Sequence, residues 1–265
     1  MLLTGLVKMI TTAVVIIAVT LSVARLGPRL GGVIAGTPIV LGPAFFFLGL
    51  ERPPSFLADA AVATLHALTA TLVFLVAYVL AAARLGPVAS LATAVAAWVA
   101  AAAAFATIPG GWVVGLAAYA ALFALAAAIR RRLDLPRPRV RAPTRRLDLL
   151  VRGLAGGVLV GVVTTVAAEA GPRVAGTLTG FPVGFTMISL TLHQRFGPAV
   201  ARATLATAQG GMLSLVAFAS VEAATAPVAG GMGAFALAFA ASVTVSMALL
   251  AAGHRAERRR SGTSG

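Results

Sequence analysis

The stretch "GPRLGGVIAGTPIVLGP" (27–43) returns as "GPRVAGTLTGFPVGFT" (171–186), and the reading of this pair decides the fold. Gly27, Pro28, Arg29, Gly32, Gly36 and Pro38 stand in register over Gly171, Pro172, Arg173, Gly176, Gly180 and Pro182, 144 residues later. Chance likeness between apolar segments accounts for scattered alanines. It does not account for six identities among Gly, Pro and Arg within twelve residues. The correspondence continues with Pro54 over Pro198. After one residue of slippage, Ala63-Thr64 lies over Ala206-Thr207 and His66 over Gln209, and "PVA" at 87–89 meets "PVA" at 227–229. The sequence thus predicts a duplicated unit of four helices, and each copy carries one helix interrupted by glycine and proline.

The surrounding composition fixes the solvent. The chain of 265 residues is 60% hydrophobic and 11% charged, with a mean hydropathy of +0.99. A soluble domain carries roughly a quarter charged residues. Apolar runs of eighteen or more residues read as spanning helices, so the expectation is an all-α, polytopic membrane protein. The net charge of +14 does not point to nucleic acid. Its basic residues sit in short loops, eight of them between Arg130 and Arg146, and do not interleave with aromatics. Membrane lipid is the expected contact for that charge. No cysteine is present, which removes disulfide and thiolate chemistry.

Turn signals and charges divide the chain into about nine helices: 4–25, 31–50, 56–83, 87–108, 112–131, 147–169, 174–193, 198–222 and 228–252. Residues 1–25 have the look of a signal peptide, but 147–169 hold the same place before the second Gly-Pro-Arg, which makes both spanning helices. With the arginine-rich 131–148 linker in the cytoplasm, only Lys8, Arg52 and Arg173 fall outside, leaving 18 of the 21 basic residues inside. Treating 31–50 and 174–193 as re-entrant loops strands about eight arginines on the wrong face. The predicted topology is an inner (plasma) membrane protein of a bacterium with its N-terminus outside and its C-terminus cytoplasmic. Residues 1–111 form a first four-helix repeat, 112–146 a linking helix and basic loop, 147–253 a second repeat, and 254–265 a polar tail.

Equivalent helices are five crossings apart, an odd number, so the second repeat is predicted to be inverted relative to the first. Inverted repeats with a discontinuous helix in each half are the architecture of many secondary transporters, whose substrate sites lie at mid-depth where the broken helices meet. Proline removes a backbone donor, so Pro38, Pro43 and Pro182 are expected to free carbonyls inside the membrane. Gly36, Gly42, Gly180 and Gly184 let the backbone turn or a neighbour approach. With Thr37 and Thr179 they form the predicted substrate-binding set, joined by His66 and Gln209 from the following helices. Asp59 and His66 lie seven apart on one helical face and are the proton-coupling candidates. Asp59 also reads as a headgroup-level residue, and His66 as a histidine satisfied by a neighbour. Arg202 is expected to snorkel, and His193 to be interfacial. No HExxH, CxxC, Walker lysine or GxSxG motif appears, so neither an enzyme, a metal site nor a cofactor is expected.

The second half resembles GlpM-type small bacterial inner-membrane proteins of about four helices. The shared elements are Ala175-Gly176, four residues, Phe181-Pro182, then Arg195, and Arg202 with Thr204. The first half keeps Gly32, Gly36 and Pro38, with Thr37 in place of the Phe and Arg52 shifted. That family is linked to exopolysaccharide (alginate) production without a settled activity, so the resemblance implies an envelope role. Two function classes follow: a transporter or permease of a small molecule or lipid-like substrate, and a non-transporting accessory protein for envelope polysaccharide or lipid assembly. Homo-oligomerisation is compatible with either.

Overall fold

Three glycines bend the second half of the chain without loops. Gly171, Gly197 and Gly230 have φ of 78°, 80° and 70° with ψ between 171° and 175°, a backbone region open essentially to glycine alone. At each, one helix stops and the next starts in a new direction. Pro172 and Pro198 follow two of these corners at the first position of the new helix, where a missing N–H removes no helical bond.

The structure is a computed structural model that describes residues 2–25, 38, 40–133, 135 and 146–261. Its helices are α1 (Leu2–Arg25), α2 (Leu41–Glu51), α3 (Pro54–Ala81), α4 (Pro87–Ala106), α5 (Trp112–Arg132), α6 (Arg146–Thr179, bent at Gly171), α7 (Val183–Ala208, bent at Gly197) and α8 (Leu213–Ser261, bent at Gly230). A 3-10 turn, Gln209–Met212, joins α7 to α8. No strand occurs among the described residues. Among the described residues four helical stretches are long and apolar enough to cross a membrane: Pro54–Ala81, Pro87–Ala106, Trp112–Arg132 and the bent Glu169–Gly253. Leu6–Val15, Leu41–Glu51 and Gly153–Val166 are shorter apolar helices. The chain is an all-helical membrane protein.

Two boundaries differ from the sequence reading. The predicted break between helices 198–222 and 228–252 does not form, and the helix runs on to the corner at Gly230 with Pro227 inside it. The predicted polar tail begins as helix, since α8 continues to Ser261. The first interrupted motif, with Gly36 and Thr37, lies outside the described residues, as does most of the predicted linker.

α3 is the centre of the bundle. In its most apolar eighteen-residue window 78% of residues are buried, against 22% in α4 and 17% in α5. The 172–179 helix runs parallel to it, with Gly176 against Ala60 and Ala63 and Gly180 against Ala67. α5 also runs parallel, Gly115 meeting Leu65 and His66 while Ala126 and Ile129 lie beside Val76 and Val79. The 198–229 stretch runs antiparallel, since Arg202 and Gln209 sit at the level of Val79 and packing on α3 continues into α8. At the periphery α1 packs antiparallel on 146–170. A Cβ on Gly153 would lie 2.6 Å from Ile17, one on Gly157 2.6 Å from the Met9 carbonyl and 3.1 Å from Ala13, and one on Gly161 would strike Met9.

These approaches make glycine obligatory at some positions only. A Cβ on Gly176 would enter the Ala60 carbonyl, whereas one on Gly184 meets nothing within 4 Å. Gly176→Ala is expected to cost about 1–3 kcal/mol through overpacking and Gly184→Ala to stay within about 0.5 kcal/mol, read from thermal unfolding of the detergent-solubilised protein.

Candidate functional site: the interrupted helix and the buried polar groups around it

The second copy of the motif forms the predicted break. Helix 172–179 stops at Gly180, Phe181 and Pro182 are non-helical, and α7 begins at Val183. Pro182 cannot continue the preceding ladder, and the chain crosses the gap through a tight Val183 N–H to Phe181 carbonyl bond of 2.8 Å. The new helix starts with the Thr186 N–H on the Pro182 carbonyl at 2.9 Å. In the first copy Pro38 is buried, the Gly42 N–H donates to its carbonyl at 2.6 Å, and α2 starts at Leu41. Pro43 supplies no N–H between the Gly42 donor and the Ala44 N–H, which reaches the Val40 carbonyl at 3.3 Å.

Carbonyls near the break are met by threonines of α3. Thr64 Oγ1 donates to the Gly176 carbonyl at 3.0 Å and Thr71 Oγ1 to the Gly180 carbonyl at 3.2 Å. Seven residues separate these threonines, two helical turns, so they share one face. The Trp98 indole N–H of α4 donates to Thr71 Oγ1 at 3.1 Å, and its ring meets Phe181 edge-on at 4.9 Å. Irregular backbone inside a membrane protein must find partners in protein, water or ligand; here Thr71 meets the Gly180 carbonyl, while the Gly176 carbonyl met by Thr64 also keeps its helical bond from the Gly180 N–H at 3.1 Å. Thr179 is buried and bonds its own helix at the Ala175 carbonyl, and Gly184 is exposed.

His66 and Gln209, aligned by the repeat, lie at different depths. His66 faces α5, a Cβ on Gly115 falling 3.5 Å from its ring, and its Nε2 has no partner among the described residues. Gln209 lines a recess with Val76, Val79, Ala126, Ile129, Arg130, Leu133 and Ala206. Its Oε1 is likewise buried without a partner. Ten residues of α3 separate the two levels, about 15 Å at 1.5 Å per residue. Asp59 is exposed near the start of α3, so it shares a face with His66 but not its environment.

Four polar arrangements escape the sequence reading. Tyr78 Oη donates to the Ser189 carbonyl at 3.1 Å and lies 3.0 Å from His193 Nδ1. The hydroxyl has one hydrogen, so with that proton on Ser189 the imidazole Nδ1 carries its own and donates to Tyr78. His193 is thus buried against α3, near the helix end at Ala81. Arg202 does not snorkel freely, because its Nε donates to the Val79 carbonyl at 2.8 Å. At the opposite end of α3, Lys8 Nζ pairs with Glu51 at 2.6 Å and stands 5.8 Å from the Phe47 ring centre, tying α1 to α2. The fourth arrangement is Glu222, with no exposed surface and neither carboxyl oxygen partnered among the described residues. The predicted helix end at residue 222 hid it. Its signal was an acidic residue within helical reach of a long apolar run.

No group of three or more metal-ligating side chains occurs among the described residues. Comparison of the chain with protein-family models, curated proteins and solved structures finds no match.

Thr71 serves the break and the Trp98 indole together. Thr71→Val is expected to cost about 1–2 kcal/mol by leaving both unpaired. The control Thr93→Val, which removes an exposed intrahelical bond, is expected to stay within about 0.5 kcal/mol. Thermal unfolding with Trp fluorescence reads both.

Proposed function

We propose that the chain is a secondary transporter or permease of a bacterial inner membrane, moving a small molecule or lipid-like substrate by rocking one inverted repeat against the other. One observation carries this reading: the packing of α1 on 146–170. Its contacts pair residue 9 with 161, 13 with 157 and 17 with 153. The 144-residue offset of the Gly-Pro-Arg motifs turns 9 into 153, 13 into 157 and 17 into 161. Applied to both partners, it therefore maps the set of contacts onto itself, with 13–157 at its centre. Two antiparallel helices related by a two-fold axis in the membrane plane have this property, and it is the symmetry of inverted-repeat transporters.

On this reading the nine predicted segments cross the membrane with the N-terminus outside, and the Lys8–Glu51 pair closes the outer end. The interrupted helices are the moving parts. Their polar backbone is held by Thr64 and Thr71 when the path is closed, and becomes available to a substrate when the 172–181 stretch draws away from α3. A half-helix N-terminus such as that at Val183 favours an anionic or carbonyl-bearing group. Membrane lipid surrounds the bundle, and the recess at Gln209 admits no more than a water-sized molecule in this conformation.

The second reading, a non-transporting accessory protein of envelope polysaccharide or lipid assembly, is favoured by the same dry closure at Thr64 and Thr71. The resemblance to GlpM-type proteins belongs with it.

Because the chain has no cysteine, one introduced thiol reports without background. Thr179→Cys in right-side-out vesicles is expected to react slowly with a membrane-impermeant maleimide. Bridging Lys8→Cys to Glu51→Cys beforehand with a bifunctional maleimide, so that the thiol at position 179 is the only free one, should slow that reaction at least about tenfold. No reaction at position 179 from either face of the membrane supports the accessory reading. A reaction indifferent to the bridge removes the Lys8–Glu51 closure.

A further inference from the structure

Glu222 sits four residues after Phe218 and four before Ala226, all three without exposed surface, so one helical face carries them inward. Phe218 rests edge-on against Phe45 of α2 at 5.6 Å and Phe235 of the 231–261 helix at 6.1 Å. Beyond Glu222 the helix reaches the Gly230 corner, where α2 returns at close range: a Cβ on Gly231 would lie 2.8 Å from the Gly49 carbonyl. Glu222 thus lies along its helix between an aromatic cluster and a glycine-to-glycine backbone contact, fully buried and with no hydrogen bond to its carboxyl among the described residues.

The ionisable groups of the elements packed around it are engaged elsewhere or carry no bond to it. On α3, Asp59 is exposed, His66 lies against Gly115, and Tyr78 is bonded to Ser189. On α2, Glu51 pairs with Lys8, and Arg52, just past its end, stands over the Phe56 ring at 5.5 Å. On α5, Tyr119 stacks with Phe123 and Arg130 reaches the Ala206 carbonyl. On α7, Arg202 is held by the Val79 carbonyl, and 231–253 contains no ionisable residue. No cation is hydrogen-bonded to the carboxyl among the described residues.

We infer that Glu222 is a proton-binding site, a neutral carboxylic acid in this closed conformation that exchanges its proton with water when the Gly49–Gly231 contact parts. An ionised carboxylate so buried would have neither counter-ion nor donor among the described residues, a state that burial makes very costly. Adding one proton to one carboxylate oxygen removes the charge and needs no other reactant. In the transport reading proposed above, on which this role in coupling rests, that proton is the coupling ion, taking the place assigned to Asp59 and His66 from sequence.

The test is infrared spectroscopy of the full chain in lipid vesicles, in H2O and D2O. The wild type is expected to show, at neutral pH, a protonated-carboxyl C=O band that shifts in D2O and is lost in Glu222→Gln. A wild type without that band, or a Glu222→Gln spectrum that retains it, overturns the inference. Should Glu222→Gln fail to fold, a membrane-soluble carbodiimide and peptide mapping decide on wild-type protein alone. An adduct at residue 222 formed at neutral pH upholds the site, and its absence refutes it. Neither signal requires a transported compound, so failure of the transport reading and failure of this site are read separately.

Discussion

The Thr71 hydroxyl holds three parts of the bundle together, because it answers a problem that a membrane protein cannot leave open. A helix interrupted at Gly180–Pro182 exposes backbone carbonyls where lipid offers no hydrogen bond. Thr71 donates to one of those carbonyls and accepts from the Trp98 indole, so α3, α4 and the interrupted helix are fixed through one oxygen. Thr64 repeats the device two turns earlier at Gly176. Each hydroxyl has one hydrogen, which it shares with the carbonyl four residues back in its own helix, at 3.0 Å for Thr71 and 2.9 Å for Thr64.

Close approach supplies the rest of the cohesion. Between helices in lipid the hydrophobic effect gives little net attraction, and small residues that let backbones meet take its place. Gly153, Gly157 and Gly161 do this for α1, Gly176 and Gly180 for α3, and Gly49 with Gly231 for the α2 contact. The corners at Gly171, Gly197 and Gly230 use the same residue for a different reason, its access to positive φ. Glycine thus both bends the chain and brings its segments together, and the two uses fall at different residues.

How much of this was legible depends on whether the physics leaves a mark in the sequence. Gly171-Pro172 and Gly197-Pro198 announce their corners, because proline at the start of a helix and glycine before it are both written in the letters. The Gly230 corner has no following proline, and Pro227 drew the boundary three residues early. A proline inside an apolar helix is tolerated when neighbours meet the freed carbonyl, so Pro227 did not end the helix and Glu222 was buried. The central place of α3 was illegible for a further reason. Its mean hydropathy of 2.0 barely differs from 1.9 in α4, while their buried shares are 78% and 22%. Where lipid and protein interior are equally apolar, hydropathy cannot distinguish a helix surrounded by helices from one facing acyl chains. The threonine face of α3 was the usable sign, and the reading had placed its donors on the broken helices instead.

On the reading proposed above, the two copies must agree in backbone and disagree in charge. Inversion places equivalent positions at opposite faces of the membrane, and basic residues are favoured on one face only. The 144-residue offset sets Glu51 over Arg195 and Arg52 over Phe196, whereas the helix-breaking Pro38 and Pro182 are kept. Lys8 over Arg152 and Arg29 over Arg173 depart from that division. A basic Lys8 on the disfavoured face is accounted for by its partner, because Glu51 neutralises it at 2.6 Å. That pair is therefore a consequence of duplication under a charge rule as well as a contact between α1 and α2. The same divergence separates His66 from Gln209 and leaves Glu222 without an acidic counterpart in the first copy, where residues 78–82 read "YVLAA". A symmetric backbone with one buried acid gives the two faces unequal chemistry, which any device that moves a proton in one direction requires.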